Sequence, residues 1–549
     1  MVIYPESFSV KPNTEATVGF RNLFNTTSQT AVNKNLTLLK GNYVFCSKNA
    51  EERELHISSS APADEYSKSE AKNVRKCAIV LENIRNMDID CSYSNFIMDG
   101  VMTHLVIKNC ENIKIKNLSI ETVNPNVHKI SVMKASTFYV TFKIEDADRF
   151  SEENGEYFWH GTDYKTSLTE LKNASWVPTA TPDNLSHLTK TNHPLHGMAS
   201  IKPVSKDVFN VRFIMPKDFE VGQVFYIYPN MRKEVGILID SSKNITLDNI
   251  KQTSNYGMGL VAQNSDFITL NGLNFVPGAK AAVDFCSVSD FLNFSSCRGK
   301  VKVTDSTFDS GGNRGCALSG VNFKIVRSDK NKMTVKFCNP ATYGFDCIRN
   351  GDMIAFINPK TMQDIASVKV MKATLRDECF YDLELATYDP PIGEGGIVEN
   401  LSANADFEFS GNTLNRISGG GVAVTTRGRV RIENNKFLNT GKSGIIIADD
   451  VTEAYEGGPI RDAVIRGNAF MNCEESAILV KPGIRKYVSP IHKNILVENN
   501  LFIINNIYAF AVFGAEDIVM KDNVYRGHPL NGNWVVAHNT ENIVLDITK

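Results

Sequence analysis

The sequence predicts an all-β protein: a right-handed parallel β-helix carrying two small β-barrel insertions. Three observations lead there. Short segments of alternating apolar residues recur down the chain, among them Asn112-Ile113-Lys114-Ile115, Asn244-Ile245-Thr246-Leu247, Val430-Arg431-Ile432 and Asn494-Ile495-Leu496-Val497. Several neighbours stand 23 residues apart, as from Ile245 to Ile268, Phe407 to Val430 and Ile495 to Ile518. Strands of period two at a fixed spacing, with no helical pattern, point to stacked coils. Asparagine follows many of these strands, at positions 249, 412, 434, 435, 468, 499, 500 and 523. It suits a tight coil corner because it tolerates left-handed backbone, and stacked asparagines can also form ladders. A β-sandwich also has strands at short intervals, but it needs hairpin turns. Asn-Gly occurs only at Asn154-Gly155, Asn271-Gly272, Asn350-Gly351 and Asn531-Gly532.

In chain order, residues 1–60 read as a cap and first coil, with Leu36-Thr37-Leu38 and Tyr43-Val44-Phe45 as strands around Gly41-Asn42. A cap is needed because a terminal coil otherwise exposes a strand edge and an open apolar core. Residues 61–133 continue the helix. The repeat spacing then fails twice, over 134–234 and 321–400, and these windows resemble each other. Val211-Arg212-Phe213 precedes Val221 to Pro229, as Val335-Lys336-Phe337 precedes Asn350 to Pro359. Each is expected to be a small β-barrel leaving and re-entering the helix. Residues 235–320 hold helix coils and the candidate site, and 401–549 the C-terminal coils.

The composition, 42% hydrophobic and 22% charged, is that of a globular chain. A net charge of −2 gives no electrostatic reason to expect nucleic acid or an anionic membrane as partner. No apolar run is long enough to span a bilayer. The eleven cysteines are odd in number and lack any Cys-x-x-Cys pair, so they read as buried thiols.

The stretch from Asp290 to Gly320 is where scaffold and chemistry should meet. Val301, Val303, Phe308 and the glycines read as one coil, which leaves Asp290, Asn293, Asp309, Asn313 and Arg314 on its outer surface. This stretch resembles glycoside hydrolase family 110, the exo-acting α-galactosidases that remove α-1,3-linked galactose. Asp290, Phe294, Cys297, Gly299, Phe308 and Gly320 hold the family pattern without a gap. The polar positions differ: Asn293 and Ser319 stand where the family has His, Ala317 where it has Asn, and Ser310 where it has Gly. Asn313 and Arg314 replace the paired aspartates. Further segments are similar in the same order: Ser119-Ile120-Glu121, Tyr256 to Leu260 with Gln263, Gly421 to Arg427, and Asp450 to Pro459. The resemblance implies the same fold and insertions, a glycan or oligosaccharide substrate, no cofactor, and a secreted, periplasmic or cell-surface protein. The start, Met-Val-Ile-Tyr-Pro-Glu, lacks a basic region and apolar run, so a signal peptide is taken as already removed.

Stacked coils place equivalent side chains about 4.8 Å apart. Carboxylates two coils apart therefore approach the roughly 6.5–9.5 Å that an inverting glycosidase needs. Asn313 cannot exchange the required proton and Arg314 does not release one. An acid and base must then come from Asp290, Glu456, Asp309 or Asp450. Each has a plainer reading as a corner carboxylate accepting backbone N–H bonds. Glu121, Gln263, Asn293, Asn313, Arg314 and Arg427 are the candidates to bind substrate, with Asp290, Asn313, Arg314, Arg427 and Glu456 expected in one pocket. Trp159, Trp176 and Trp534 could stack on sugar rings, although the first two also suit an insertion core. His193-Pro194-Leu195-His196 lacks an acidic or Cys partner at ligand spacing, so no metal is expected. Three functions compete: a glycoside hydrolase of altered specificity, a carbohydrate-binding protein that lost the reaction, and a polysaccharide lyase using Arg314 as base.

Overall fold

The computed structural model describes residues 1–28, 32–60, 73–168, 176–178, 188–190, 194–228, 233–279, 281–386, 389–484 and 487–547, with the side chains of 176–178 and 188–190 left out. Its body is a parallel β-helix of three ladders, and strands of successive coils pair in register. In the first ladder Ile113, Ile245, Ile268, Val301, Phe407, Val430, Ala463, Ile495 and Ile518 succeed one another. In the second, Phe308, Leu414, Phe437, Phe470 and Phe502 do so. The third runs from Ile107 through Ile239, Ala262, Phe294, Leu318 and Val424 to Ile447. Parallel pairing across these coils excludes the sandwich.

Alternation does the folding work. Inward residues such as Val301, Val303 and Phe308 are fully buried. Each such side chain contributes about 1.5–3 kcal/mol by leaving water. Phe437, Phe470 and Phe502 stack at 5.0 and 5.1 Å between ring centroids. The asparagines divide into two groups. Asn249, Asn434 and Asn499 take the left-handed corner conformation. Asn412, Asn435, Asn468, Asn500 and Asn523 instead form a buried ladder: each amide donates to a core carbonyl, and the first four also donate to the next residue's Oδ1. Among the described residues no cysteine is joined in a disulfide; eight are buried and Cys46, Cys338 and Cys379 half-buried.

The cap is an α-helix, Thr17–Ser28, which the strand pattern did not suggest. Phe20, Leu23, Phe24 and Thr27 stand at helical spacing and are buried over the first coil. The first insertion is a seven-stranded antiparallel sheet with a three-stranded sheet beside it. Asn154 and Gly155, both at positive φ, turn the hairpin from Phe150–Glu153 to Glu156–His160. Trp159 is fully buried in this insertion's core, stacked on His128 at 4.7 Å. In the second insertion the strands of Cys316–Asp329, Lys332–Phe337, Phe380–Leu385, Asp364–Asp377, Met353–Ile357 and Ile397–Asn400 pair in that cycle and close a six-stranded barrel.

The insertions leave from different corners. The first emerges between the second-ladder residues of Glu111–Thr122 and the third-ladder strand Ile237–Asp240. The second emerges after the third-ladder part of Cys316–Asp329 and returns at Asp406–Ser410. Both therefore flank the outer face of the third ladder.

Candidate active site

That outer face carries the alternate residues of the third ladder, and in its middle coils they are small: Asn293 pairs with Ala317, and Ala317 with Ala423. Asp290 precedes this strand in one coil, and Asn313 and Arg314 precede it in the next. Asp290 is 2% exposed. Its carboxylate accepts from Asn313 Nδ2 at 2.6 Å, Asn293 Nδ2 at 3.1 Å and the Arg314 backbone N–H at 3.1 Å. An acceptor-only group buried this deeply needs such donors.

Glu456 arrives from the opposite corner. The two-residue strand Glu456–Gly457 pairs antiparallel with Gly320 and Val321. Gly457 lets the strands approach closely here: a Cβ would lie 2.3 Å from Asn322 Oδ1, so any side chain would displace the Asn322 amide. The Glu456 carboxylate meets the Arg314 guanidinium at 3.6 Å, Nη1 to Oε1, with the two side chains 31% and 33% exposed. Glu456 first, then Asp290, raise the Arg314 pKa against the burial that opposes them. The structure thus brings Asp290, Asn293, Asn313, Arg314 and Glu456 together.

Five expected residues are placed otherwise. Arg427 does not join the cluster: its guanidinium binds Glu399 at 2.7–3.1 Å and Asp364 at 2.6 and 2.7 Å. Glu399 and Asp364 belong to the second insertion, so Arg427 fastens that barrel to the helix. Asp450 caps its own turn, accepting from the backbone N–H of Thr452, Glu453 and Ala454. Asp309 pairs with Arg416 at 2.7 Å. Gln263 is 1% exposed and ties down the N-terminal segment, accepting from Ser58 N–H and donating to the His56 carbonyl. Glu121 accepts from Asn95 and lines a separate cleft of about 570 Å³ with Arg149, Thr253 and Val283. Trp534 packs half-buried against the last coil of the core. His193 and the Trp176 side chain lie outside the described residues.

Sequence reasoning missed two polar clusters. Asp284 accepts from Lys129 and Tyr226 at 2.6 and 2.7 Å and sits 3.7 Å from Arg416. Behind Arg427, Asp449 is 4% exposed, and burial first, then Glu399, hold its pKa well above the carboxylate range. Nothing local marks either, since partners such as Lys129, Tyr226 and Glu399 are remote in sequence. Among the described residues no three His, Cys, Asp or Glu side chains group as metal ligands.

The arrangement offers one half-exposed carboxylate, Glu456, one half-exposed guanidinium, Arg314, and a buried carboxylate that orients an amide. Such groups on a small-residue floor can bind sugar hydroxyls, and Glu456 is the member open enough to exchange a proton.

Fold and site define a β-helix protein with a polar surface site between two insertions. Residues 392–484 match the family described as right handed beta helix region. Over 458 residues, 81% of this chain and 78% of the relative, the chain is 26% identical to alpha-1,3-galactosidase A of Bacteroides thetaiotaomicron. It is 25% identical over 543 residues to alpha-1,3-galactosidase B of the same organism, covering 94% and 85% of the two chains. Among solved structures, a polygalacturonase from Erwinia carotovora aligns at a TM-score of 0.41 and 12% identity over 98% of this chain and 96% of that one. The resemblance to the α-1,3-galactosidases thus extends far beyond the Asp290–Gly320 stretch. No described helix is long and apolar enough to cross a membrane.

Proposed function

We propose that this protein is a glycoside hydrolase of the α-galactosidase type, acting at the end of a galactose-containing glycan. The observation that carries this reading is the chain of contacts Asp290–Asn313 and Arg314–Glu456 on a face between two insertions, in a protein whose relatives are named alpha-1,3-galactosidases. Glu456 exchanges the proton at the glycosidic oxygen or the attacking water. Asp290 holds Asn313 and the Arg314 backbone for the sugar hydroxyls. On this reading the protein meets its glycan outside the cytoplasm.

General acid and base catalysis contribute about 10²–10⁴-fold each. With Asn313 and Arg314 where the resembling family carries aspartates, turnover of simple α-galactosides is expected to be slow. The test is galactose release from an aryl α-galactoside and from a glycan ending in α-1,3-galactose. Glu456→Gln should lower release by at least about 10²-fold, and Asn313→Asp with Arg314→Asp should raise it on the aryl substrate. Release that survives both Glu456→Gln and Asp290→Ala unchanged would mean the reaction is elsewhere. A second reading, a carbohydrate-binding protein without turnover, is favoured by the burial of Asp290, which leaves one open carboxylate. Galactose binding by calorimetry with no release from any substrate would select it.

A further inference from the structure

Arg314 is the least engaged guanidinium among the arginines that hold polar sites together in this fold. Its side chain meets Glu456 at 3.6 Å and makes no shorter polar contact among the described residues. An arginine carries five N–H donors in a planar fork. Arg427 spends its fork on two carboxylates. Arg298 binds Asp352 through both terminal nitrogens at 2.7 and 2.8 Å. Arg149 donates to the carbonyls of Pro125 and Val127, the Tyr164 hydroxyl and Asp146. These three are fixed parts of the frame, whereas Arg314 is one-third exposed and held by a single long contact.

Its surroundings suit an incoming anion. Ala317 and Ala423 keep the adjoining face low, and Asn293 stands beside them in the same row. The nearest fixed negative charge, Asp290, is buried and already answered by three donors. The other charge facing Arg314 is Glu456, at a separation beyond an ordinary charge-assisted hydrogen bond.

Resting on the glycan-active reading above, we propose that Arg314 is the specificity residue of this site and that the substrate glycan carries an anionic group, a sulfate ester or a carboxylate, on or next to the bound sugar. The Glu456 carboxylate occupies the place of that anion in the free protein. When the substrate anion takes the guanidinium fork, Glu456 is released from its ion pair and becomes free to exchange a proton. Recognition of charge and readiness for catalysis are thereby one event.

The test is calorimetry with three probes, methyl galactopyranoside, its sulfate ester and methyl galacturonoside, on the wild type and on Arg314→Gln, Arg314→Lys and Glu456→Gln. At least one charged sugar should bind the wild type about tenfold or more tightly than the neutral one, as a charge-assisted contact warrants. Whichever charged probe wins identifies the anion. Arg314→Gln should bring charged and neutral sugars to within about threefold, Arg314→Lys should keep part of the preference, and added salt should weaken it. Glu456→Gln should tighten the charged sugar relative to the neutral one, widening the ratio between them, which a merely structural ion pair would not do. Equal binding of charged and neutral sugars by the wild type, or a preference that persists in Arg314→Gln, overturns the proposal while leaving the glycan-active reading in place. A chain that binds none of the three overturns both.

Discussion

Two arginine–carboxylate clusters sit on neighbouring corners of the same stack, and they differ in how completely the guanidinium is used. Arg427 is clamped between Glu399 and Asp364 with every contact between 2.6 and 3.1 Å. Arg314 reaches one carboxylate at 3.6 Å. The Glu399 side chain is 3% exposed, that of Glu456 31%. A saturated, buried pair is a fastener, because removing either partner strands a charge; a half-solvated pair with spare donors can be opened by a ligand at little cost.

The largest expected effect comes from breaking the fastener. Arg427→Ala leaves Glu399 buried and unpaired and should cost about 3–5 kcal/mol in denaturant unfolding. A loss near zero would mean that the two clusters do not differ as described. Next comes the asparagine ladder. Asn435→Ala removes the acceptor for Asn412 and the donor to the Phe409 carbonyl and Asn468, at about 1–3 kcal/mol for each buried group stranded.

Proton linkage gives a third contrast within the Arg427 cluster itself. Burial and Glu399 raise the Asp449 pKa, so its contribution to stability is complete at low pH and is lost as pH rises above about 4 through the raised value. Burial works to raise Asp364 too, but hydrogen bonds and charge from Arg427, with Arg461, outweigh it and lower the pKa. Its contribution is present at neutral pH and is lost as pH falls below about 4. Melting temperatures from pH 3 to 8 should show a smaller decline toward pH 8 in Asp449→Asn and a smaller decline toward pH 3 in Asp364→Asn. The smallest effect is at Arg314, where Arg314→Ala should cost less than about 1 kcal/mol. A larger loss would make Arg314 a fastener as well.

The fold was legible because a β-helix repeats its instructions locally: alternation sets the inward face and spacing sets the stack. The central cluster was legible for the same reason, since Asp290, Asn293, Asn313 and Arg314 lie on two successive coils. Glu456 was added through the resemblance of the Asp450–Pro459 segment. Arg427, Gln263, Asp309 and Asp450 illustrate what a repeat does not encode. Position in a coil says that a side chain faces outward, but not that Glu399, Ser58, Arg416 or a backbone turn will meet it there. Among the asparagines, residue type alone did not separate the left-handed corners, such as Asn434, from the buried ladder beside them, such as Asn435. The capping helix was overlooked because a search for period two passes over Phe20, Leu23, Phe24 and Thr27.

The ladder of Asn412, Asn435, Asn468, Asn500 and Asn523 bears on how such a protein can change over generations. Its rungs are separated by 23, 33, 32 and 23 residues of chain, yet each makes the same pair of bonds to the next. The preceding link, from Ser306 to Asn412, spans 106 residues. Among the described residues, the surplus leaves the stack between the third strand of one coil and the first strand of the next, as residues 448–462, residues 481–484 with 487–491, or the second barrel. Length at this corner is therefore decoupled from register: the stack tolerates lineages that lengthen, shorten or exchange the loops there. Glu456 is carried on one of those loops, so the carboxylate that faces Arg314 can be altered by insertion and deletion while the asparagines keep the frame.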